Sequence, residues 1–113
     1  DHRFDWTGFY RVTSPGMLKI GPYQGSHGCL KIPFERGVCG AAARLCKTQL
    51  VADVEAFEGH IACASSTMSE LVLPVWDKAG ALIAVLDIDS DQPNAFTEQD
   101  AAELEIILAK VFS

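Results

Sequence analysis

The apolar positions of this 113-residue chain fall into short runs at strand spacing, one run of small residues at helical spacing, and a long helical stripe near the end. Trp6 to Val12 reads as a strand rich in aromatics and Met17 to Tyr23 as a second strand; the turn Ser14-Pro15-Gly16 joins them in a hairpin. Gln24 to Gly28 is a loop, followed by a short extended piece, Leu30 to Ile32. Gly37 to Lys47 carries small apolar residues at helical spacing and reads as a short helix. Gln49 to Val51 reads as a short strand, and Asp53 to Ser66, which lacks periodicity, as a long loop with one helical turn. Glu70 to Trp76 and Ala81 to Asp89 are apolar strands joined by Asp77-Lys78-Ala79-Gly80, a second hairpin. Thr97 caps a helix running to about Phe112. Thr97-Glu98-Gln99-Asp100 approximates a capping box with Asp in place of Glu, and Ala101, Leu104, Ile107, Leu108 and Val111 give the helix one apolar face. The expected fold class is α+β: an antiparallel sheet of about five or six strands flanked by helices, as a single domain over residues 1–113.

Chemistry enters with the cysteines. Cys29 follows the Gly-rich loop Gly25-Ser26-His27-Gly28, Cys39 lies within Gly37-Val38-Cys39-Gly40 at the predicted helix start, and Cys63 ends Gly59-His60-Ile61-Ala62-Cys63. None of the cysteines forms the C-x-x-C spacing of redox or zinc-ribbon sites, so the fold must bring them together. A cysteine at a helix amino terminus has its thiolate favoured by the helix dipole, which is the expectation for Cys39. Cys46, two turns further along the same helix, reads as a small buried hydrophobe. The unit His60-x-x-Cys63 leaves open a Cys3His zinc site with Cys29 and Cys39, although only one tight knuckle is present.

Two further constellations stand beside the cysteines. Asp87 and Asp89 are two apart on a strand and share a face, while Ile88 points the other way. Acids ending a buried strand can line a cleft at the sheet edge; the plainer reading is a solvated strand end. Hairpin pairing brings Glu70 to the same end, and three clustered carboxylates raise at least one pKa. Trp6, Gly8 and Tyr10 share another strand face: either core, or an aromatic wall for an apolar ligand group with Gly8 leaving room beside it.

Composition then narrows the function classes. The net charge of −6, with nine Lys and Arg residues scattered along the chain, repels phosphate and argues against nucleic acid; a cationic group on a small ligand suits the chain better. At 49% hydrophobic residues the chain can bury roughly two-thirds of its unfolded surface and needs no disulfide framework. No apolar run approaches the roughly 20 residues of a membrane helix and no signal peptide is seen, so no membrane association and a cytoplasmic location are expected. The chain opens on Asp1 and enters a strand almost at once, from which a truncated amino terminus is expected.

Taken together, these segments resemble the free methionine-(R)-sulfoxide reductases, a catalytic branch of the GAF-domain fold. The resemblance rests on Asp5-Trp6-Thr7-Gly8-Phe9-Tyr10, Gly21-Pro22-Tyr23-Gln24-Gly25, Gly37-Val38-Cys39-Gly40-Ala41-Ala42, Val51-Ala52-Asp53-Val54, Gly59-His60-Ile61-Ala62-Cys63, Ser69-Glu70-Leu71-Val72-Leu73-Pro74 and Leu86-Asp87-Ile88-Asp89-Ser90. It implies Cys63 as nucleophile, Cys29 and Cys39 as the other redox cysteines, Glu70, Asp87 and Asp89 as catalytic and substrate-site carboxylates, and Trp6 with Tyr10 as the wall around the substrate methyl group. It implies no metal and no organic cofactor, an external dithiol reductant such as thioredoxin, and free methionine sulfoxide as substrate. Family members begin with a helix before the first strand; without it, the apolar face near Leu104 and Leu108 is expected to be exposed or paired with another chain as a homodimer. Cys46 lies outside the family pattern. The alternative is a non-catalytic GAF module that binds a small ligand and relays a signal.

Overall fold

The computed structural model describes residues 5–25, 29–57 and 67–112. The strands are β1 (Trp6–Ser14), β2 (Met17–Gln24), β3 (Lys31–Pro33), β4 (Gln49–Val51), β5 (Ser69–Trp76) and β6 (Leu82–Ser90). The helices are α1 (Gly37–Leu45) and α2 (Glu98–Phe112), with one turn of 3-10 helix at Val54–Ala56. The strands form one sheet in the order β3-β2-β1-β6-β5-β4, every adjacent pair antiparallel. This is the α+β architecture expected from the pattern.

The alternation of β5 and β6 divides the molecule into two apolar layers. On one face Trp6, Tyr10, Val72 and Val85 pack with Leu18, Ile32 and the α1 residues Val38, Cys39, Ala42 and Ala43. On the other, Leu71, Leu73, Val75, Leu86 and Ile88 pack against Phe96 and the α2 residues Ala101 and Leu108. α1 is built from small residues because it lies close against the sheet and β3: a Cβ at Gly40 would fall 2.7 Å from the carbonyl oxygens of both Pro33 and Phe34. The capping box on α2 forms with Asp in the Glu position, Asp100 N donating to Thr97 Oγ1 at 3.1 Å and Thr97 N to Asp100 Oδ2 at 2.9 Å.

Three expectations change. α1 ends at Leu45, and Cys46 is its left-handed C-cap (φ 54°), exposed rather than buried in the helix face. Of the predicted α2 stripe only Ala101 and Leu108 are buried; Ile107 and Val111 are 53% and 67% exposed, as the sheet is reached by a narrower stripe that continues to Phe112. Leu108, and in part Leu104, therefore pack on the sheet, while Ile106, Ile107 and Val111 stay exposed on the same helix.

Candidate active site

The site assembles on the α1 side of the sheet at the ends of its central strands. Register sets its rows: Trp6 lies opposite Asp89, which lies opposite Glu70, and Gly8 lies opposite Asp87, which lies opposite Val72. Cross-strand partners share a face, so both aspartates and Glu70 lie with Trp6, Gly8 and Tyr10 beneath α1. β6 is flanked by β1 and β5, so the acids sit mid-sheet and not in a cleft at the sheet edge. The strand-end reading as solvated surface also fails: Glu70, Asp87 and Asp89 are only 7%, 4% and 6% exposed.

α1 lowers its first turn onto this cluster. Cys39 Sγ donates to Glu70 Oε2 across 4.0 Å, a long contact suited to a weak sulfur donor. The ligating atoms of Cys39, Glu70 and Asp87 all fall within 4.8 Å of one another. One oxygen of each aspartate, Asp87 Oδ1 and Asp89 Oδ1, is buried with no hydrogen-bond partner among the described residues.

Burial dominates the electrostatics. It raises the Asp89 carboxyl to about 9, with the charge of Glu70 adding to it. Asp87 is likewise driven well above the carboxylate range, first by burial and then by Glu70 and Asp89. Asp89 therefore holds its proton at neutral pH. Cys39 does not follow the expectation of a dipole-favoured thiolate: burial, then the charges of Asp87, Glu70 and Asp89, push its thiol well up. The helix end contributes less than a kcal/mol or so in exposed settings, too little against desolvation beside acids. Tyr10 is raised from the same causes, burial first and Cys39 next.

The aromatic residues close one side. Trp6 stacks between Tyr10 (ring centroids 5.8 Å) and Tyr23 (5.5 Å). Gly8 makes this possible, since a Cβ there would lie 2.5 Å from Tyr23 Cβ and 2.6 Å from the Trp6 ring. The room at Gly8 is thus filled by Trp6 itself. Tyr10 Oη donates to the Cys29 carbonyl at 3.0 Å and so ties the loop cysteine to β1. Cys29 is disulfide-bonded, whereas Cys39 and Cys46 carry free thiols. That bond leaves Cys29 no thiolate for the Cys3His zinc set. Cys63 and His60 lie outside the described residues.

A profile of the GAF domain matches residues 4–111. The chain belongs to the GAF domain family. Within it, the domain is similar to proteins named free methionine-R-sulfoxide reductase. It is 50% identical over 105 residues to GAF domain-containing protein A of Dictyostelium discoideum, covering 93% of this chain and 66% of that protein. It is 42% identical over 107 residues to the free methionine-R-sulfoxide reductase of Escherichia coli, covering 95% of this chain and 64% of that protein. The crystal structure of free methionine-R-sulfoxide reductase from Neisseria meningitidis in complex with its substrate is 44% identical, covers 96% of this chain and 65% of that one, and superposes with a TM-score of 0.89. The chain spans between 57% and 66% of the length of the curated relatives it matches.

Two supporting groups in this GAF domain were not singled out from sequence. Tyr23 backs Trp6, a role signalled only by its register opposite Gly8. Ser69 and Ser90, fully buried and paired across β5 and β6, anchor the strand ends that carry Glu70 and Asp89. Ser69 Oγ donates to the Gln92 carbonyl at 2.6 Å and accepts from Ala95 N at 3.2 Å; Ser90 Oγ accepts from Gln92 N at 3.1 Å.

Proposed function

We propose that this GAF domain is a thiol-dependent reductase of free methionine (R)-sulfoxide. The observation that carries the reading is the buried cluster of Glu70, Asp87 and Asp89 beside an aromatic wall, in which burial raises both aspartate carboxyls and Asp89 keeps its proton at neutral pH. A sulfoxide sulfur becomes electrophilic when its oxygen is protonated or strongly hydrogen-bonded, and a protonated aspartate supplies that proton. The Cys63 thiolate attacks the sulfur, the sulfur–oxygen bond breaks, methionine leaves, and the oxygen remains on Cys63 as a sulfenic acid. A second thiol condenses with it, releasing water and forming a disulfide; Cys29, held at its carbonyl by Tyr10, suits this step better than Cys39, whose thiol is buried among acids. An external dithiol, with thioredoxin as the natural candidate, returns both cysteines to thiols by exchange.

The acidic cluster also supports selection for the free amino acid. A free ammonium group pairs with a carboxylate such as Glu70 and relieves the repulsion within the cluster; a peptide-bound methionine lacks it. Trp6 and Tyr10 would then flank the substrate methyl group. Neither a metal nor an organic cofactor is needed for these steps.

The test is dithiol-dependent turnover of free methionine (R)-sulfoxide, compared with the (S) form and with a peptide-bound sulfoxide. Turnover confined to the free (R) form, abolished by Cys63→Ser, is the expected result. A single stoichiometric addition of substrate should leave the protein lighter by two hydrogens in intact mass. Undiminished turnover in Cys63→Ser removes Cys63 as nucleophile.

A further inference from the structure

The ring of Tyr10 belongs to the aromatic wall, but its hydroxyl reaches the loop that leads into β3. It donates to the Cys29 carbonyl at 3.0 Å, across 19 positions of sequence. Tyr10 is 1% exposed and lies mid-strand in β1, opposite Ile20 of β2 and Val85 of β6, so packing fixes where the hydroxyl stands. Burial, then Cys39 and the charges of Asp87, Asp89 and Glu70, raise its phenol, which keeps the hydroxyl a donor.

Two adjacent bonds tie this loop to the sheet. Ile20 N donates to the Leu30 carbonyl at 2.9 Å, and Tyr10 Oη donates to the carbonyl of Cys29. Ile20 and Tyr10 face each other in the β1–β2 register, so both tethers start from one cross-strand pair. Leu30 is 71% exposed, so apolar burial at that residue does not hold the segment. A disulfide closes only within a narrow geometry, with Cα atoms about 4.4 to 6.8 Å apart and a torsion of about 90° across the bond. Displacing a reacting group by about 1 Å can cost roughly a hundredfold in rate.

We propose that Tyr10 is a positioning residue for disulfide closure, its hydroxyl holding the Cys29 backbone where the Cys29 sulfur meets the sulfenic acid. This role is separate from that of its ring, and it rests on the reductase reading for the origin of the sulfenic acid. In the step served, the Cys29 thiolate attacks the sulfenyl sulfur of Cys63. The sulfur–sulfur bond forms, the sulfur–oxygen bond breaks, and hydroxide leaves with the thiol's proton as water.

Stoichiometric hydrogen peroxide tests the role with no substrate in the site. Peroxide converts a thiol to a sulfenic acid and water, so the aromatic wall has no ligand to hold. Reduced chains, each carrying Cys46→Ser to remove the exposed thiol, are mixed with one equivalent in the presence of dimedone. Rapid-quench intact mass then follows loss of two hydrogens against the dimedone adduct of the sulfenic acid. Adding Tyr10→Phe should slow closure roughly tenfold and leave the adduct in place of the disulfide. With Cys29→Ser already present, Tyr10→Phe should change the adduct yield no further, because the hydroxyl acts through Cys29. A role confined to packing would move both backgrounds alike. Free methionine (R)-sulfoxide in place of peroxide separates the two claims: absent methionine release counts against the reductase, while the peroxide arm still decides the role of Tyr10. Closure in Tyr10→Phe at the parent's rate, or an equal effect of Tyr10→Phe with and without Cys29, overturns the assignment.

Discussion

Replacing Asp89 with Asn should make the protein more stable at neutral pH while disabling it. The side chains are nearly isosteric, Asp89 Oδ1 has no hydrogen-bond partner among the described residues to lose, and the native carboxyl titrates at about 9 against 3.8 unperturbed. Because the folded value is raised, the stability of the parent is fully present below pH 3.8 and is lost progressively as pH rises toward 9. At pH 7 the native state holds a proton that the unfolded chain has released about three pH units below, and at ~1.36 kcal/mol per unit this amounts to about 4 kcal/mol. Asp87 lies beside Asp89 and is raised with it, so Asp89→Asn should be more stable than the parent by on the order of 2 to 4 kcal/mol at pH 7 and by almost nothing at pH 4. Urea unfolding of both chains at pH 4 to 8 measures the difference directly, and turnover in the same samples should fall by roughly a hundredfold or more if Asp89 assists the departing oxygen. A variant whose stability runs parallel to the parent across this range, or lies below it at pH 7, refutes the claim that Asp89 is held protonated at the expense of stability.

Other outcomes follow from the same geometry. Turnover should decline as pH rises through about 9, since a proton-donating Asp89 is lost there, and a rate profile flat to pH 10 would exclude it as the acid. Gly8→Ala should destabilise the fold by about 1 to 3 kcal/mol and weaken substrate binding, as its Cβ meets Tyr23 and the Trp6 ring under 3 Å away; thermal unfolding and KM report the two effects. Ser69→Ala removes a buried hydroxyl that donates to the Gln92 carbonyl and accepts from Ala95 N, and should lower stability by roughly 1 to 3 kcal/mol in denaturant titration. Thr97→Ala removes the cap on Asp100 N and should lower stability by roughly 1 kcal/mol with turnover unchanged.

The strands and both helices were legible because β5, β6 and α2 carry strong periodicity bounded by turn residues and a capping box. The shared face of Asp87 and Asp89 was legible for the same reason, since a strand period of two leaves no other arrangement. What pattern could not show was depth. An acid pair at a strand end looks the same whether solvated or buried, and only the strand order, with β6 between β1 and β5, puts Asp87 and Asp89 under α1. The same limit explains Cys39 and Cys46. Position in a helix is readable from sequence, but the reversal of their expected environments depends on how close α1 lies to the sheet and on where it ends. The contribution of Tyr23 needed the β1–β2 register, which skips a residue between Gly8 and Tyr10.

That register also shows how the domain tolerates the site. Along β6, Asp87 and Asp89 face α1 while Leu86 and Ile88 face α2; along β5, Glu70 faces α1 while Leu71 and Leu73 face α2. Each acid therefore has an apolar neighbour in sequence committed to the opposite layer: Leu71 beside Glu70, Leu86 and Ile88 beside Asp87, and Ile88 beside Asp89. Burying a Leu or Ile side chain contributes about 1.5 to 3 kcal/mol, so the α2 layer offsets what the buried carboxyls cost within the same two strands. Stability and chemistry occupy opposite faces of one hairpin, and the two can be altered separately. A truncating substitution at Leu71 or Ile88 should lower the stability of the domain while the cluster in the molecules still folded titrates as in the parent, whereas one at Glu70 or Asp89 should change chemistry and pH dependence while the α2 layer stays packed.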